Sequence, residues 1–387
     1  MRLRIETINV GDGACAVTSD TDKTTDLTLI DCGRWRRGDR AAADRARDYL
    51  GERLGDVTTL VVTHFDRDHW GGLLELAATH ATLRPKNAPA VEIRIPGMPD
   101  SFAKNLRAGM LALISSRDDA PVNAIELHDA WKATGVGVRQ TVHYAGDEFE
   151  ANGRTWKVLW PPHRVPTEMG DRITTWLDDL KKLADEMNAA GHGKLLDDLH
   201  KAYAGVESFD APVAREESPR EEPMRWPMPE RHYDEHRSGD DLLPEDAETA
   251  PDTDFREVPK KFKDKLRKLA NRMSSLDNAL SLVITTEDGG FIDFGDIEGD
   301  ALEALLRSGT VATEYTVMFA PHHGTHEAPS GLPQAWVCIS QNGVDHHRKN
   351  FLHRKTHSNE GRCVSTWDRG NIDLDTVRWG FRYWPWW

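Results

Sequence analysis

The chain has 387 residues, of which 39% are hydrophobic, enough for one large domain or two smaller ones. Its formal net charge of −15 argues against indiscriminate nucleic-acid binding by the whole surface. No apolar run approaches the ~18 residues of a membrane span, and the N-terminus lacks a signal-peptide core, so we expect a cytoplasmic protein without a membrane partner. The four cysteines show no Cys-x-x-Cys spacing, which favours reduced thiols.

The first part of the chain predicts a sheet with helices between its strands. Strands are expected over residues 2–10, 14–18, 27–30, 57–62, 91–95 and 156–160, and helices over 39–54 and 102–115. Gly11-Asp12-Gly13 is a tight turn, and the third strand ends in Asp31-Cys32-Gly33.

The richest stretch for chemistry follows the strand over 57–62. It reads Thr63-His64-Phe65-Asp66-Arg67-Asp68-His69-Trp70-Gly71-Gly72, with four possible metal ligands within six residues. Residues at the end of a buried strand point into a cleft, and imidazole with carboxylate suits zinc, manganese or iron. The sequence therefore predicts a metal site here.

The pattern changes between residues 164 and 275. An amphipathic helix is predicted from Ile173 to Met187, and a shorter one near residues 195–203. Residues 210–259 hold eight prolines and little apolar material, so we expect this segment to be disordered. A helix over 260–273 has a lysine- and arginine-rich face, which suits phosphates or simply solvent. We therefore divide the chain into residues 1–162, an insertion over 163–275, and residues 276–387.

The sheet pattern resumes at residue 280. A strand over 291–294 ends at Gly295-Asp296-Ile297-Glu298, and one over 316–320 ends in Pro321-His322-His323-Gly324-Thr325. Further strands are predicted at 336–340 and 363–366. Four histidines crowd the connection between these two strands, and the sequence does not choose among them: His346, His347, His353 and His357.

These motifs, in this order, resemble the metallo-β-lactamase fold hydrolases. The family signature His-x-His-x-Asp-His matches residues 64–69, except that Asp66 replaces the second histidine. Pro-His-His-Gly-Thr is similar to the motif of soluble relatives of the hydrolase domain in ComEC-type DNA-uptake proteins. The resemblance covers residues 1–162 and about 276–372, and it implies an α/β four-layer αββα sandwich with metals at one edge.

The resemblance also implies two divalent metal ions, zinc or manganese, that activate a hydroxide. The first site would use His64, Asp66 and Asp296, and the second Asp68, His69, Asp296 and His322. Asp68 would also handle a proton, His323 would donate a hydrogen bond to the substrate, and the aspartate at the position of Asp31 supports the site from behind the ligands. The histidine that usually completes the first site has no sure counterpart, and His163 is one candidate.

Three functions remain open at this stage. The resemblance implies a phosphodiesterase or nuclease, with nucleic acid as substrate. An alternative is hydrolysis of a small phosphodiester, an ester or a lactone. A further alternative is a regulatory or scaffold protein without turnover, for which the C-terminal aromatic tail at residues 379–387 would serve as a docking anchor for a protein partner.

Overall fold

Fourteen strands and eight α-helices are present in the described residues of this computed structural model, which are 2–33, 41–98, 124–193, 259–353 and 363–376. One sheet contains β1 (Leu3–Thr7), β2 (Cys15–Asp20), β3 (Lys23–Cys32), β4 (Val57–Val61), β5 (Val91–Pro96), β6 (Val138–His143) and β14 (Ile372–Thr376). The other contains β7 (Glu148–Ala151), β8 (Arg154–Trp160), β9 (Val283–Thr286), β10 (Phe291–Asp293), β11 (Glu314–Phe319), β12 (Gln334–Ser340) and β13 (Cys363–Ser365).

The two sheets have matching strand arrangements. Their orders are β14-β1-β2-β3-β4-β5-β6 and β13-β12-β11-β10-β9-β8-β7. In the first sheet β3, β4, β5 and β6 run parallel. In the second, β10, β11, β12 and β13 run parallel. The remaining neighbours in both sheets are antiparallel.

Helices cover the outer face of each sheet. The first sheet carries α1 (Ala41–Leu50), α2 (Arg67–Leu83) and α3 (Ala124–Ala133), and the second carries α4 (Thr167–Ala189), α5 (Lys260–Ala279) and α6 (Gly299–Arg307). Two more helices follow β12 and β13: α7 (Val344–His353) and α8 (Thr366–Arg369). Short 3-10 helices lie at Gly51–Asp56 and Pro321–Gly324.

Three apolar clusters separate the four layers. The inner cluster lies between the sheets and includes Ile5, Ile30, Trp156 and Phe291. The two outer clusters join each sheet to its helices. This arrangement confirms the predicted αββα sandwich, because each sheet has one face on its partner and one face on helices.

The helices near the insertion form because their apolar residues recur at helical spacing. In α5, Phe262, Leu266, Leu269 and Met273 are buried on one face. The indole nitrogen of Trp176, on α4, donates to the carbonyl oxygen of Leu269 at 2.9 Å. The division of the chain at residues 163 and 275 stays a prediction, although both helices pack on the second sheet.

Some elements were missed and some predictions lie outside the described residues. Neither the edge strands β6 and β7 nor helix α3 was predicted. Most positions of β6 are only half buried, so it has no clean apolar alternation, and β7 has four residues. The predictions for residues 102–115, 195–203, 210–258 and 379–387 fall outside the described residues.

Two further expectations concern the thiols and the membrane. All four cysteines are free, three of them buried and Cys363 half-buried. Among the residues that the structure describes, no helix has the length and apolarity needed to cross a membrane.

Candidate metal centre

The candidate site lies where the parallel strands of both sheets end, at their carboxyl ends. Asp31 comes from the end of β3, His64 follows β4, and His69 is in the first turn of α2. Asp296 follows β10, and His323 follows β11. Such an edge is the usual place for ligands in parallel sheets, because side chains from neighbouring strand ends converge there.

Asp31 fixes the orientation of His69. Its carboxylate accepts hydrogen bonds from the Thr63 backbone nitrogen at 2.8 Å, the Thr63 hydroxyl at 2.6 Å and His69 Nδ1 at 2.7 Å. With Nδ1 donating, the Nε2 lone pair of His69 is free to face the centre. This agrees with the supporting role that the resemblance implied for Asp31.

His323 is oriented in the same way from the opposite sheet. Its Nδ1 donates to the carbonyl oxygen of Gln341 at 2.6 Å. Its Nε2 lies 3.2 Å from His69 Nε2, 3.4 Å from Asp296 and 3.5 Å from Asp68. Two imidazole nitrogens whose partner nitrogens both donate elsewhere have lone pairs facing each other, and a shared cation resolves that contact.

Two buried atoms in this centre have no hydrogen-bond partner. They are His64 Nε2 and Asp68 Oδ1. His64 Nε2 lies 3.9 Å from Asp296 Oδ2, while its Nδ1 lies 3.2 Å from the Thr63 hydroxyl. Buried polar atoms without partners are rare, so these two point to a missing ion. The donors His64, His69 and Asp296 lie within 4.8 Å of one another, as do those of Asp68, His323 and His346.

The charges of the centre attract cations. Burial opposes the charged form of His69, but Asp296 and Asp31 outweigh it and raise the pKa of His69 well above its usual value. Burial also works against ionised Asp68, yet its hydrogen bond to His323 lowers the pKa of Asp68 to about 2. His64 has no close carboxylate of this strength, and burial holds its pKa well below the usual range.

Backbone strain concentrates at this site. Among the described residues, four non-glycine residues have positive φ, and three of them belong to the site: Asp31 at 52°, His322 at 48° and His323 at 54°. Each such conformation costs on the order of 1–3 kcal/mol and persists only where the surroundings enforce it. Here the enforcing contacts are the hydrogen bonds that aim the ligands.

Asp66 has a different position from the one predicted. One of its carboxylate oxygens accepts a hydrogen bond from the Ser274 hydroxyl at 2.5 Å, and it belongs to neither donor group. Next to it, the Phe65 backbone nitrogen donates to Asp277 Oδ2 at 2.9 Å. Burial, followed by the charge of Asp68, raises the pKa of Asp66 to about 6. Both partners of this loop come from α5.

His322 also differs from its predicted place. Its Nδ1 lies 2.7 Å from Glu298 Oε2, and its Nε2 is 3.9 Å from Asp296. His323 therefore takes the ligand position in the cluster that we predicted for His322. His163 is exposed and stacks on Tyr144 with ring centroids 4.2 Å apart, away from both described donor groups.

Of the four histidines after β12, the structure brings His346 to the centre. Its ring stacks on His323 at 4.8 Å between centroids, and its Nδ1 is buried without a partner. Asp12, in the turn before β2, accepts hydrogen bonds at 2.9 Å from the backbone nitrogens of Gly343 and His346. Sequence reasoning identified the turn at Asp12 without its role, because its partner lies more than 300 residues away.

Comparisons with known proteins agree with this fold. Residues 20–173 match the model of the metallo-beta-lactamase superfamily. No curated protein sequence matches the chain.

Three solved structures resemble part of the chain, each with a TM-score of 0.25. YhfI from Bacillus subtilis is 11% identical, over 41% of this chain and 53% of its own. The short form of human tRNase Z is 16% identical, over 42% and 62%. The Rm3 metallo-beta-lactamase is 19% identical, over 41% and 50%. The match thus spans between half and two thirds of each of these proteins.

Proposed function

Residues 20–173 place the chain in the metallo-beta-lactamase superfamily, and from this premise we propose that it is a metal-dependent hydrolase whose substrate is a phosphodiester. The superfamily includes metal-dependent hydrolases such as tRNase Z and β-lactamases. The observation that carries the proposal is the convergence of three imidazole Nε2 atoms and two carboxylates, with His64 Nε2 and Asp68 Oδ1 left without partners.

The donor set fits one divalent ion well and a second less completely. Asp68, His69, Asp296 and His323 would hold one ion, with nitrogen and oxygen donors that suit zinc or manganese. His64 and Asp296 would offer donors to a second. When bound, such an ion supplies Lewis-acid polarisation of the scissile bond and makes water an effective nucleophile at neutral pH.

The chain's own residues then position the reacting groups. Asp68 has one oxygen near His323 and one without a partner, so it can orient a water molecule and accept its proton. His346 faces the centre behind His323 with an unpartnered Nδ1, which suits a hydrogen bond to the substrate or the departing oxygen. The donor role expected of His323 thus passes to His346, because His323 Nε2 points at the ion position.

A phosphodiester is favoured by the ComEC-type motif over residues 321–325 and by exposed lysines on α5. Part of that basic face is neutralised by α4, however. Lys265 pairs with Glu186, and Arg272 pairs with Asp179. The remaining basic residues on this face are fewer than the sequence suggested, which favours a short or small diester over a long duplex.

A hydrolysis screen tests the proposal. Chelator-stripped protein, reloaded with zinc or manganese, is assayed on bis(p-nitrophenyl) phosphate, linear DNA, plasmid, RNA, an ester and a lactone. We expect diester cleavage, and we expect Asp68→Ala to lose at least about a hundredfold in rate while its circular dichroism is unchanged.

The matched control is Asp171→Ala, which removes an exposed carboxylate near the start of α4. Cleavage of only the ester or lactone would replace the phosphodiester proposal. Metal binding without turnover on any of these substrates would favour the scaffold function instead, and full activity in Asp68→Ala would contradict the proposed role of that residue.

A further inference from the structure

A second group of potential ligands lies at the rim of the centre. It consists of Glu298, at the start of α6, with His322 and His326 from the loop after β11, and its donor atoms lie within 4.8 Å of one another. None of these donors belongs to the groups at the centre. We call this group the rim cluster.

The distances in the rim cluster are close to those of a tetrahedral zinc site. Glu298 Oε2 lies 2.7 Å from His322 Nδ1 and 3.6 Å from His326 Nδ1. The two imidazole rings are 4.5 Å apart between centroids. With zinc bonds of about 2.0–2.1 Å, tetrahedral donors lie roughly 3.4 Å apart. The cluster therefore needs only sub-ångström adjustments to hold an ion.

Solvent can reach the rim cluster, which leaves room for water to complete the coordination. The side chains of Glu298 and His322 are 27% and 21% exposed, and that of His326 is 57% exposed. His326 Nδ1 also lies 3.1 Å from the Thr325 hydroxyl. This is a long hydrogen bond beside solvent, so a cation can displace it at small cost.

We propose that Glu298, His322 and His326 form a separate zinc site at the rim of the metal centre. Two imidazoles and a carboxylate are donors that zinc takes readily, with water in the fourth position. His322 links this site to the centre, because its Nδ1 faces Glu298 while its Nε2 faces Asp296 at 3.9 Å. An ion at the rim thus fixes a ring that also borders the central carboxylate.

The competing explanation is that Glu298 only orients His322 by a hydrogen bond. In that case His326 contributes nothing to metal binding, because its ring lies outside the Glu298–His322 pair. The two explanations differ in the number of zinc ions that the protein binds, which can be measured without any substrate.

The experiment counts zinc after equilibrium dialysis of the chelator-stripped full chain. Its variants are His326→Ala, Glu298→Gln, Asp68→Ala and the double variant Asp68→Ala/His326→Ala. His128→Ala is the control, since His128 is another surface histidine, on α3, outside every described donor group.

We expect His326→Ala and Glu298→Gln to bind one zinc ion fewer than the wild type and His128→Ala. Asp68→Ala should lose zinc at the centre but keep the rim ion, and the double variant should lose both. An unchanged zinc content in His326→Ala, with unchanged affinities, would overturn the rim site. Because Asp68→Ala reports on the centre alone, failure of the rim site and failure of the proposed hydrolase centre give different results.

Discussion

Asp277 offers a sharp test of how α5 holds the metal loop. Its carboxylate is 5% exposed and accepts a hydrogen bond from the Phe65 backbone nitrogen. Burial, and next the nearby Asp66, raise the pKa of Asp277 well above its usual value. Asp277 thus supplies a needed acceptor, but at the cost of a buried charge whenever it ionises.

Two substitutions separate these effects. Asp277→Leu removes the acceptor and leaves the Phe65 N–H without a partner, which should cost about 1–3 kcal/mol of unfolding free energy. Asp277→Asn keeps a carbonyl oxygen that can accept the same hydrogen bond, and it removes the repulsion with Asp66. We therefore expect Asp277→Asn to stay within about 1 kcal/mol of the wild type at acidic pH.

The pH dependence provides the second readout. Because the folded protein holds the Asp277 proton more tightly than the unfolded chain, this residue stabilises the fold below the unfolded pKa of about 3.9. That contribution is lost as pH rises from there toward the raised folded value. Relative to the wild type, Asp277→Asn should thus become more favourable between pH 5 and pH 8.

The measurement is urea unfolding followed by tryptophan fluorescence, with a chelator present so that metal binding does not contribute. Circular dichroism in the same samples checks that the transition is two-state. The reasoning would be refuted if Asp277→Asn lost as much stability as Asp277→Leu, or if both variants kept the wild-type pH slope.

Three other predictions follow from the same contacts. Manganese should support turnover at least as well as zinc, and Asp66→His should shift the preference toward zinc, as seen in metal titrations of both forms; tight binding of two zinc ions with no manganese activity would contradict this. If nucleic acid is bound, neutralising Lys261, Lys263 and Lys268 should lower the salt slope of log Kd by up to about 0.7–0.9 for each phosphate that is no longer neutralised, whereas an unchanged slope means that these lysines only face solvent. Burial lowers the pKa of His80 to about 4, so the wild type should lose roughly 2 kcal/mol as pH falls from 6.5 toward 4, and unfolding of His80→Gln should show a flatter profile; equal slopes would exclude His80 as the cause.

The order of the motifs along the chain was enough to predict the fold. Each candidate ligand follows an apolar strand, and parallel strand ends meet at one edge, so local patterns implied the place of the centre. The same logic reached Asp31, whose strand is next to that of His64. Edge strand β6 escaped because half-buried edges lack the alternation that marks a strand.

The partners of each ligand could not be predicted in the same way. Ser274 and Asp277 are separated from the metal loop by more than 200 residues, and nothing in their local sequence distinguishes them from ordinary helical residues. The choice between His322 and His323 depends on two consecutive left-handed residues, which turn the second ring inward. Spacing alone leaves both rings as equal candidates.

The contacts of α5 give the carboxylate at position 66 a structural role besides any role in metal binding. Three hydrogen bonds join residues 63–66 to residues 274–282: Ser274 to Asp66, Phe65 to Asp277, and Leu282 to the Thr63 carbonyl oxygen at 2.6 Å. Because a carboxylate has two oxygens, Asp66 can accept from Ser274 with one and keep the other for a cation. The loop that carries His64 is therefore held by α5 as well as by its own sheet, and displacement of α5 should loosen the metal centre even though α5 contributes no ligand to the described donor groups.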